Sequence, residues 1–223
     1  MEQEHYLIKI TDNFPKRGHE SVYTFRGTLQ DEYGTNFPVL IKSPDVPVSS
    51  IPEGFNAVQY YNHIWQQLQK AGINVVPWLI EHENGVIVPD MEYDNYRFYG
   101  KSRSLAINNN HLNLPPFCYQ DFLFLLVFSE ETVELNRRLS ELVFTATENG
   151  IGLPYDDPAE LIIHPDGYFD LITLDLSRTK LDITMDEAYS INQLATTRLY
   201  RHWQVVYDFY REIFEYNPSV FDR

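Results

Sequence analysis

The order of the elements along the chain is the feature that most limits its fold. Three stretches rich in β-branched and aromatic residues come first and are separated by turn signals, at 5–10, 21–29 and 37–42. A helical period then runs from 57 to a glycine stop at Gly72, and two further strands flank the Asn84-Gly85 turn. This order predicts an antiparallel sheet with one helix.

The second half of the chain is predicted to be mainly helical. The polar segment 95–116 favours an exposed loop or a boundary between two parts. A hairpin about the Asp166-Gly167 turn interrupts the helices, with strands at 160–165 and 168–175. The predicted helices cover 118–128, 129–150 (opened by Ser129 and closed by Gly150) and about 185–216. Together the two halves predict an α+β protein.

The charge of the chain excludes one large class of partner. Its 32 acidic residues outnumber 17 basic ones, which gives a formal net charge of −15. A field of this sign repels the phosphate backbone, so we expect no nucleic-acid partner. The charge serves solubility or, alternatively, a basic protein partner.

Location and redox chemistry are constrained by the apolar residues and by the cysteine content. No stretch approaches the roughly 18 apolar residues needed to span a bilayer, which predicts no membrane insertion. The start MEQEHYLIKI resembles no secretory signal, so we expect a cytoplasmic location. Cys118 is the single cysteine, which excludes an internal disulfide, and it is expected to be a small buried side chain.

Two segments of the first half resemble parts of a protein kinase. Residues 39–42, VLIK, are similar to the kinase strand VAIK, whose lysine pairs with the α- and β-phosphates of the nucleotide. The preceding RGHESVYTFRG resembles a glycine-rich loop reduced to Gly18, which is followed by Val22. The resemblance therefore implies that Lys42, Gly18 and Val22 contact ATP.

Three later segments extend the resemblance over about residues 17–178. VIVPDMEYD is similar to the strand and hinge that hold adenine, which implies contacts from Met91, Glu92 and Tyr93. ENGIGLPYDDPAELIIHPDG is similar to the kinase catalytic loop and the turn after it. DLITLDLSRT resembles the strand that ends in the metal-binding aspartate, here Asp175.

The departures from the kinase pattern concern the catalytic residues. Tyr155 stands where the catalytic aspartate is expected, and a phenol with a pKa of about 10 is a poor base at neutral pH. Asp156 or Asp157 could supply a base instead, although a plain surface turn explains both equally well. Glu160 replaces a metal-binding asparagine and is either a Mg²⁺ ligand or a solvated side chain. The helix after Lys42 has no glutamate to hold that lysine.

The resemblance implies a two-lobed protein-kinase-like fold, similar to compact bacterial kinase-like proteins of the YrbL type and to small kinase effectors. Residues 1–94 would form a small lobe with an antiparallel sheet and one helix, and residues 95–223 a reduced, mainly helical lobe. The two lobes would make one integrated domain.

Three functions remain open from the sequence. The first is a pseudokinase that binds ATP and Mg²⁺ and acts through a protein partner. The second is an active kinase with Asp156 or Asp157 as base and with Asp175 and Glu160 as Mg²⁺ ligands, acting on a protein or small-molecule hydroxyl. The third is an acidic adaptor or immunity-type protein without a nucleotide site.

Overall fold

The computed structural model of the chain describes only the backbone of residues 7–13. The other described residues are 24–31, 33–83, 85–92, 94–109, 117–129 and 132–216. Over these ranges the protein is α+β, with two small antiparallel sheets and five α-helices. No helix in them is both long and apolar enough to cross a membrane.

The first part of the chain forms a five-stranded sheet over the described residues. Its strands are β1 (Leu7–Asn13), β2 (Thr24–Gln30), β3 (Asn36–Lys42), β4 (Ile80–His82) and β5 (Gly85–Pro89), in the order β1-β2-β3-β5-β4. Every neighbouring pair is antiparallel. The central position of β3 gives Lys42 a strand on each side, because it pairs with Thr24 of β2 and Val86 of β5.

Helix α1 (Ala57–Lys70) connects β3 to β4 and packs on one face of this sheet. Asn56 begins the helix with a capping box, in which its side chain and that of Gln59 each accept a backbone N–H of the other residue. The helix ends before Gly72, whose φ of +81° is the left-handed conformation that glycine adopts readily. The predicted helix and its stop are both confirmed.

The segment 95–116 was expected to be an irregular, exposed loop or a boundary between two parts, and irregular structure is wrong for residues 95–109, whereas residues 110–116 lie outside the described part of the chain. It contains strand β6 (Arg97–Tyr99) and helix α2 (Lys101–Asn108). The strand is only three residues long, too short for a recognisable alternation, and it is stabilised by pairing with β7 far along the chain. Such a tertiary contact leaves no local signal in the sequence.

The second part combines a three-stranded sheet with long helices. Strands β7 (Glu160–Ile163) and β8 (Phe169–Ile172) form the predicted hairpin, and β6 adds to it in the order β6-β7-β8. Helices α3 (Tyr119–Val127), α4 (Val133–Glu148) and α5 (Met185–Tyr216) surround this sheet. Helix α4 begins four residues later than predicted, because the Ser129 hydroxyl donates to the Leu126 carbonyl at the end of α3 instead of opening α4.

Three apolar clusters hold these elements together. One lies within the first sheet around Val39, Ile41 and Ile87. A second fills the space between the second sheet and the helices, with Trp203 and Tyr210 of α5 fully buried. The third joins the two parts, because it contains residues of α1 and β5 together with Ala146, Ile151, Leu153 and Leu176. The loop 151–158 therefore starts inside a cluster shared by both parts.

Candidate functional site

Lys42 lies at the end of β3, where that strand meets the second part of the chain. Its cross-strand neighbour Val86 belongs to the cluster that packs against α1, so Lys42 is on the α1 side of the sheet. The Nζ of Lys42 donates to the carbonyl oxygen of Leu174, at 3.4 Å. This hydrogen bond brings the lysine next to Asp175.

The same carbonyl binds a second side chain that sequence reasoning missed. The hydroxyl of Tyr61 on α1 also donates to the Leu174 oxygen, at 3.3 Å. Burial first, and then the negative charge of Asp175, raise the pKa of Tyr61, so its hydroxyl remains a donor at neutral pH. A tyrosine therefore occupies the region of α1 where the resemblance implied a glutamate.

Asp175 follows Leu174 and begins a turn. Its Oδ1 accepts the backbone N–H of Ser177 at 3.0 Å, which is a common role for an aspartate at the end of a strand. Its charge also acts on Tyr61 and on Asp157. Asp175 therefore forms a hydrogen bond within the turn and also interacts electrostatically with Tyr61 and Asp157.

Asp157 is influenced both by burial and by the other charges of this region. Burial is the main cause that raises its pKa well above the ordinary value of an aspartate, followed by the charges of Glu160 and Asp175. The charges of Lys101 and Lys42 act in the opposite direction. Its Oδ1 atom is buried and has no hydrogen-bond partner among the described residues, although the side chain as a whole is partly exposed.

Glu160 is buried rather than solvated. It is the first residue of β7 and only 6% exposed, so the alternative of an exposed side chain is excluded. Its side chain lies against Gly100, where an added Cβ atom would be 2.9 Å from the Glu160 Cγ. The glycine at 100 therefore leaves space for the glutamate beside the start of α2, which also carries Lys101.

Three hydrogen bonds from two side chains hold the loop that carries these acids. The buried side chain of Asn192 on α5 accepts the N–H of Leu153 at 2.8 Å and donates to the Ile151 carbonyl at 3.0 Å. At the other end of the loop, the Thr173 hydroxyl donates to the Pro158 carbonyl at 2.9 Å. The segment between them is fixed at both ends, which orients Asp156 and Asp157.

The two adjacent aspartates have different surroundings. Asp156 accepts hydrogen bonds from Arg178, at 3.1 Å, and from Arg198. The guanidinium of Arg198 also lies 4.2 Å from the centre of the Tyr155 ring. The charges of Lys42, Glu160 and Asp175 act on Asp157, whereas the hydrogen bonds of Asp156 go to two arginines, so the two candidates that the sequence left equal have different partners.

The predicted adenine-binding segment is a turn after β5. The carbonyl of Met91 accepts the N–H groups of Asp94 and Tyr96, and the carboxylate of Glu92 accepts a hydrogen bond from Arg26 at 2.9 Å. Both Met91 and Glu92 are half-buried. Tyr93, like Gly18 and Val22 of the predicted glycine-rich loop, lies outside the described residues.

The expected Mg²⁺ ligands do not form a metal centre by themselves. Within the described ranges, no three His, Cys, Asp or Glu side chains are grouped so that they could hold a metal ion. Asp175 and Glu160 contribute oxygen ligands, which Mg²⁺ prefers, but this ion is usually held by one or two carboxylates together with substrate phosphates.

Cys118 is half-buried, not buried as expected. It is the residue before α3, and its Sγ accepts hydrogen bonds from two nitrogens of Arg97, at 3.2 and 3.1 Å. The Cys118 backbone N–H donates to the buried carboxylate of Asp121. This arrangement anchors the start of α3, and it does not involve the residues around Lys42.

A groove of about 300 Å³ lies elsewhere, between α1, the preceding loop and β4. Its lining is mostly polar and comprises Gly54, Phe55, Gln59, Asn62, His63, Gln66 and Glu81. None of these residues belongs to the charged group of Lys42, Lys101, Asp157, Glu160 and Asp175. We call that charged group the candidate site.

Comparisons with models of known protein families and with curated proteins found no match to this chain. The function must therefore be argued from the candidate site.

Proposed function

We propose that the protein is a kinase-like nucleotide-binding protein whose phosphate-binding residues are Lys42 and Lys101. The observation that carries this proposal is the hydrogen bond from Lys42 to the carbonyl before Asp175. A lysine of the third strand and an aspartate after the last strand are the two residues that the kinase resemblance assigns to the phosphates and to the metal. Their proximity supports that assignment.

The arrangement of the elements supports the same proposal. A five-stranded antiparallel sheet with one packed helix precedes a mainly helical part with a small sheet. We propose that these two parts correspond to the two lobes of a kinase-like fold. The apolar cluster that contains residues of both parts agrees with a single integrated unit.

The charges of the candidate site suit a nucleotide with its cation. Lysine binds phosphate as a point charge, and Lys42 and Lys101 both act on the same buried carboxyl group, that of Asp157. Asp175 and Glu160 would hold Mg²⁺ bound to the nucleotide, and the ion would supply neutralisation of the phosphate charge. The half-buried turn at Met91 and Glu92 would contact the adenine.

The way in which Lys42 is held differs from that of an ordinary kinase. There the lysine pairs with a glutamate of the helix, whereas here it donates to a backbone carbonyl that also binds Tyr61. We propose that the Leu174 carbonyl and Tyr61 together take over the positioning role of that glutamate. The absence of the glutamate from the sequence is then compatible with nucleotide binding.

A second candidate function, phosphotransfer, is favoured by the surroundings of Asp157. A base near the transferred phosphate needs an acceptor oxygen that no protein group occupies, and Asp157 Oδ1 has no partner in the described part of the chain. In the proposed step, the oxygen of an acceptor hydroxyl forms a bond to the γ-phosphorus and the bond to the ADP leaving group breaks. Asp157 takes the hydroxyl proton.

The decisive experiment is a thermal shift of the full chain with ATP and Mg²⁺, followed by transfer from γ-labelled ATP. ATP at about one hundred times its Kd should raise the midpoint by roughly 5 to 10 °C for a chain of this size. Incorporation of label would support the active kinase, and its absence with a retained shift would support a pseudokinase that acts through a protein partner. No shift at any ATP concentration would leave the acidic adaptor as the remaining function.

A further inference from the structure

A second charged group includes Asp156, the residue before Asp157 in the same loop. It consists of Tyr155, Asp156, Arg178 and Arg198, and we call it the arginine pair site. One carboxylate, that of Asp156, accepts hydrogen bonds from both guanidinium groups. The ring of Tyr155 lies against Arg198, with the Arg198 Cζ atom 4.2 Å from the ring centre. These contacts bring two cations together at the surface of an acidic protein.

Most donors of the two arginines are not used by these contacts. Each guanidinium contacts Asp156 through Nη1 only, whereas the group carries five N–H donors in all. The side chains of Arg178 and Arg198 are 57% and 40% exposed. Both guanidinium groups are therefore reachable by a ligand from solvent.

The positive field extends beyond the pair. Burial, and then the charges of Lys101 and Arg198, lower the pKa of His202, while Asp156 acts in the opposite sense. The Nδ1 of His202 is within hydrogen-bond distance of the Ser104 hydroxyl, at 3.2 Å. The charge of Lys101, a residue of the candidate site, acts on both His202 and Asp157.

The contacts also hold the arginines in place before any ligand binds. A guanidinium that is stacked on an aromatic ring and paired with a carboxylate loses less side-chain entropy when it binds an anion. Arg198 has both contacts, and Arg178 shares its carboxylate. Together the two guanidinium groups offer more N–H donors than the two oxygens of a carboxylate accept, and a phosphate group provides further acceptor oxygens.

We propose that the arginine pair site binds the phosphate group of a phosphomonoester. Its position next to Asp157 makes it suitable for holding a phosphorylated acceptor while the hydroxyl of that acceptor faces the candidate site. This role as an acceptor site rests on the phosphotransfer function proposed above, whereas phosphate binding itself does not depend on it.

The test is a titration of the full chain with inorganic phosphate at constant ionic strength, followed by NMR. The variants are Arg198→Gln and Arg178→Gln, and Arg211→Gln is the control. Arg211 is a half-exposed arginine of helix α5, like Arg198, and it pairs with Asp208 and Glu215. Each protein is compared with and without Lys42→Met, so that phosphate binding at the candidate site can be distinguished from phosphate binding at the arginine pair site. Acetate serves as the carboxylate probe.

We expect each substitution in the arginine pair to weaken the phosphate binding reported by the NMR signals of the arginine pair site at least about tenfold, while Arg211→Gln leaves it unchanged. Acetate should bind at least about tenfold more weakly than phosphate. The inference is overturned if the wild-type chain does not bind phosphate, if Lys42→Met alone abolishes binding, if Arg211→Gln weakens binding equally, or if acetate binds as well.

A merely structural role gives another result. If the two arginines only fix the loop, Arg198→Gln lowers the melting temperature and leaves the phosphate affinity unchanged, which also overturns the inference. ATP binding, measured on the same proteins, separates the two proposals. Phosphate binding without ATP binding contradicts the proposed function alone, and ATP binding without phosphate binding contradicts the arginine pair site alone.

Discussion

The Nζ of Lys42 lies 3.4 Å from the carbonyl oxygen of Leu174, a residue 132 positions away in the sequence. This hydrogen bond joins the central strand of the first sheet to the segment that follows the second sheet. The hydroxyl of Tyr61 donates to the same oxygen. Side chains from strand β3 and helix α1 therefore bind the same backbone oxygen, that of the residue before Asp175.

Removing the Tyr61 hydroxyl should weaken this junction without disturbing the packing of the ring. We expect Tyr61→Phe to lower the free energy of unfolding by about 1 kcal/mol, because one partly buried hydrogen bond is lost. Urea unfolding measures the change. Tyr60→Phe on the same helix is the control, and an equal effect of the two substitutions would contradict a specific role for the Tyr61 hydroxyl.

The two adjacent aspartates should respond to amide substitution in opposite directions. The folded-state pKa of Asp157 is raised, so its contribution to stability is present below the unfolded pKa of about 3.9 and is lost as the pH rises through the folded value. Asp157→Asn removes the ionisable group, and with it the loss of stability on ionisation. The substitution should therefore stabilise the protein at neutral pH by about 0.5–2 kcal/mol. The gain should be larger near about pH 8 than near about pH 4.5.

Asp156→Asn is the matched comparison, because Asp156 is ion-paired with two arginines. This substitution should destabilise the protein by up to about 1 kcal/mol, the usual range for exposed pairs. Thermal unfolding at the two pH values measures both variants. A destabilising Asp157→Asn at neutral pH would show that the charges around Asp157 do not oppose its ionisation.

Much of the fold could be predicted from local patterns, and the reasons differ between elements. Helix α1 has an apolar stripe, a capping residue at Asn56 and a stop at Gly72, so its bounds are written in adjacent residues. Strand β6 and helix α2 were missed, since Arg97–Tyr99 becomes a strand only by pairing with β7. The α+β class could be predicted, whereas the correspondence to the two lobes of a kinase remains a proposal.

The candidate site divides in a similar way. Lys42 and Asp175 could be proposed because they match motifs, and Glu160 because it stands where the motif has an asparagine, but the choice between Asp156 and Asp157 depends on the contact with Arg198 and the charge of Lys101, both from distant helices. Nothing in the sequence indicated Tyr61 as a residue that binds beside Lys42, because the resemblance assigns the role of holding that lysine to a glutamate. Gly100 lies against Glu160, and Asn192 binds the loop that carries Asp156 and Asp157. Both contacts join residues that are far apart in the sequence, so spacing along the chain cannot predict them.

Substituting Gly100 should disturb the position of Glu160. The backbone at Gly100 is extended, with φ of −178°, so alanine can adopt it, but the new Cβ would lie 2.9 Å from the Glu160 Cγ. We expect Gly100→Ala to cost about 1–3 kcal/mol of unfolding free energy. In combination with Glu160→Ala this cost should largely disappear, which a double-mutant cycle measures. Additive effects of the two substitutions would exclude the contact.

Buried tyrosines should make the protein sensitive to alkali. The pKa values of Tyr61, Tyr99 and Tyr210 are all raised, mainly by burial, so their contribution to stability is complete below the unfolded pKa of about 10 and is lost as the pH rises above it. Each should lower the free energy of unfolding by about 1.4 kcal/mol per pH unit in that range.

The measurement is urea unfolding at several pH values above about 10. Tyr99→Phe should reduce the slope by one such contribution, and the exposed Tyr189→Phe is the control. A slope that Tyr99→Phe leaves unchanged would contradict the shift assigned to Tyr99. The substitution also removes the 2.7 Å hydrogen bond to Asp121, so the comparison concerns the slope and not the stability at neutral pH.

The central claim is that Lys42 binds the phosphates of a nucleotide. Isothermal titration of the full chain with ATP and Mg²⁺ tests it most directly, with Lys42→Met as the variant and Lys70→Met, an exposed lysine at the end of α1, as the control. We predict that the wild type and Lys70→Met bind ATP with the same Kd and that Lys42→Met binds at least about tenfold more weakly. Equal affinity of Lys42→Met and wild type, or no binding by either, would contradict the account.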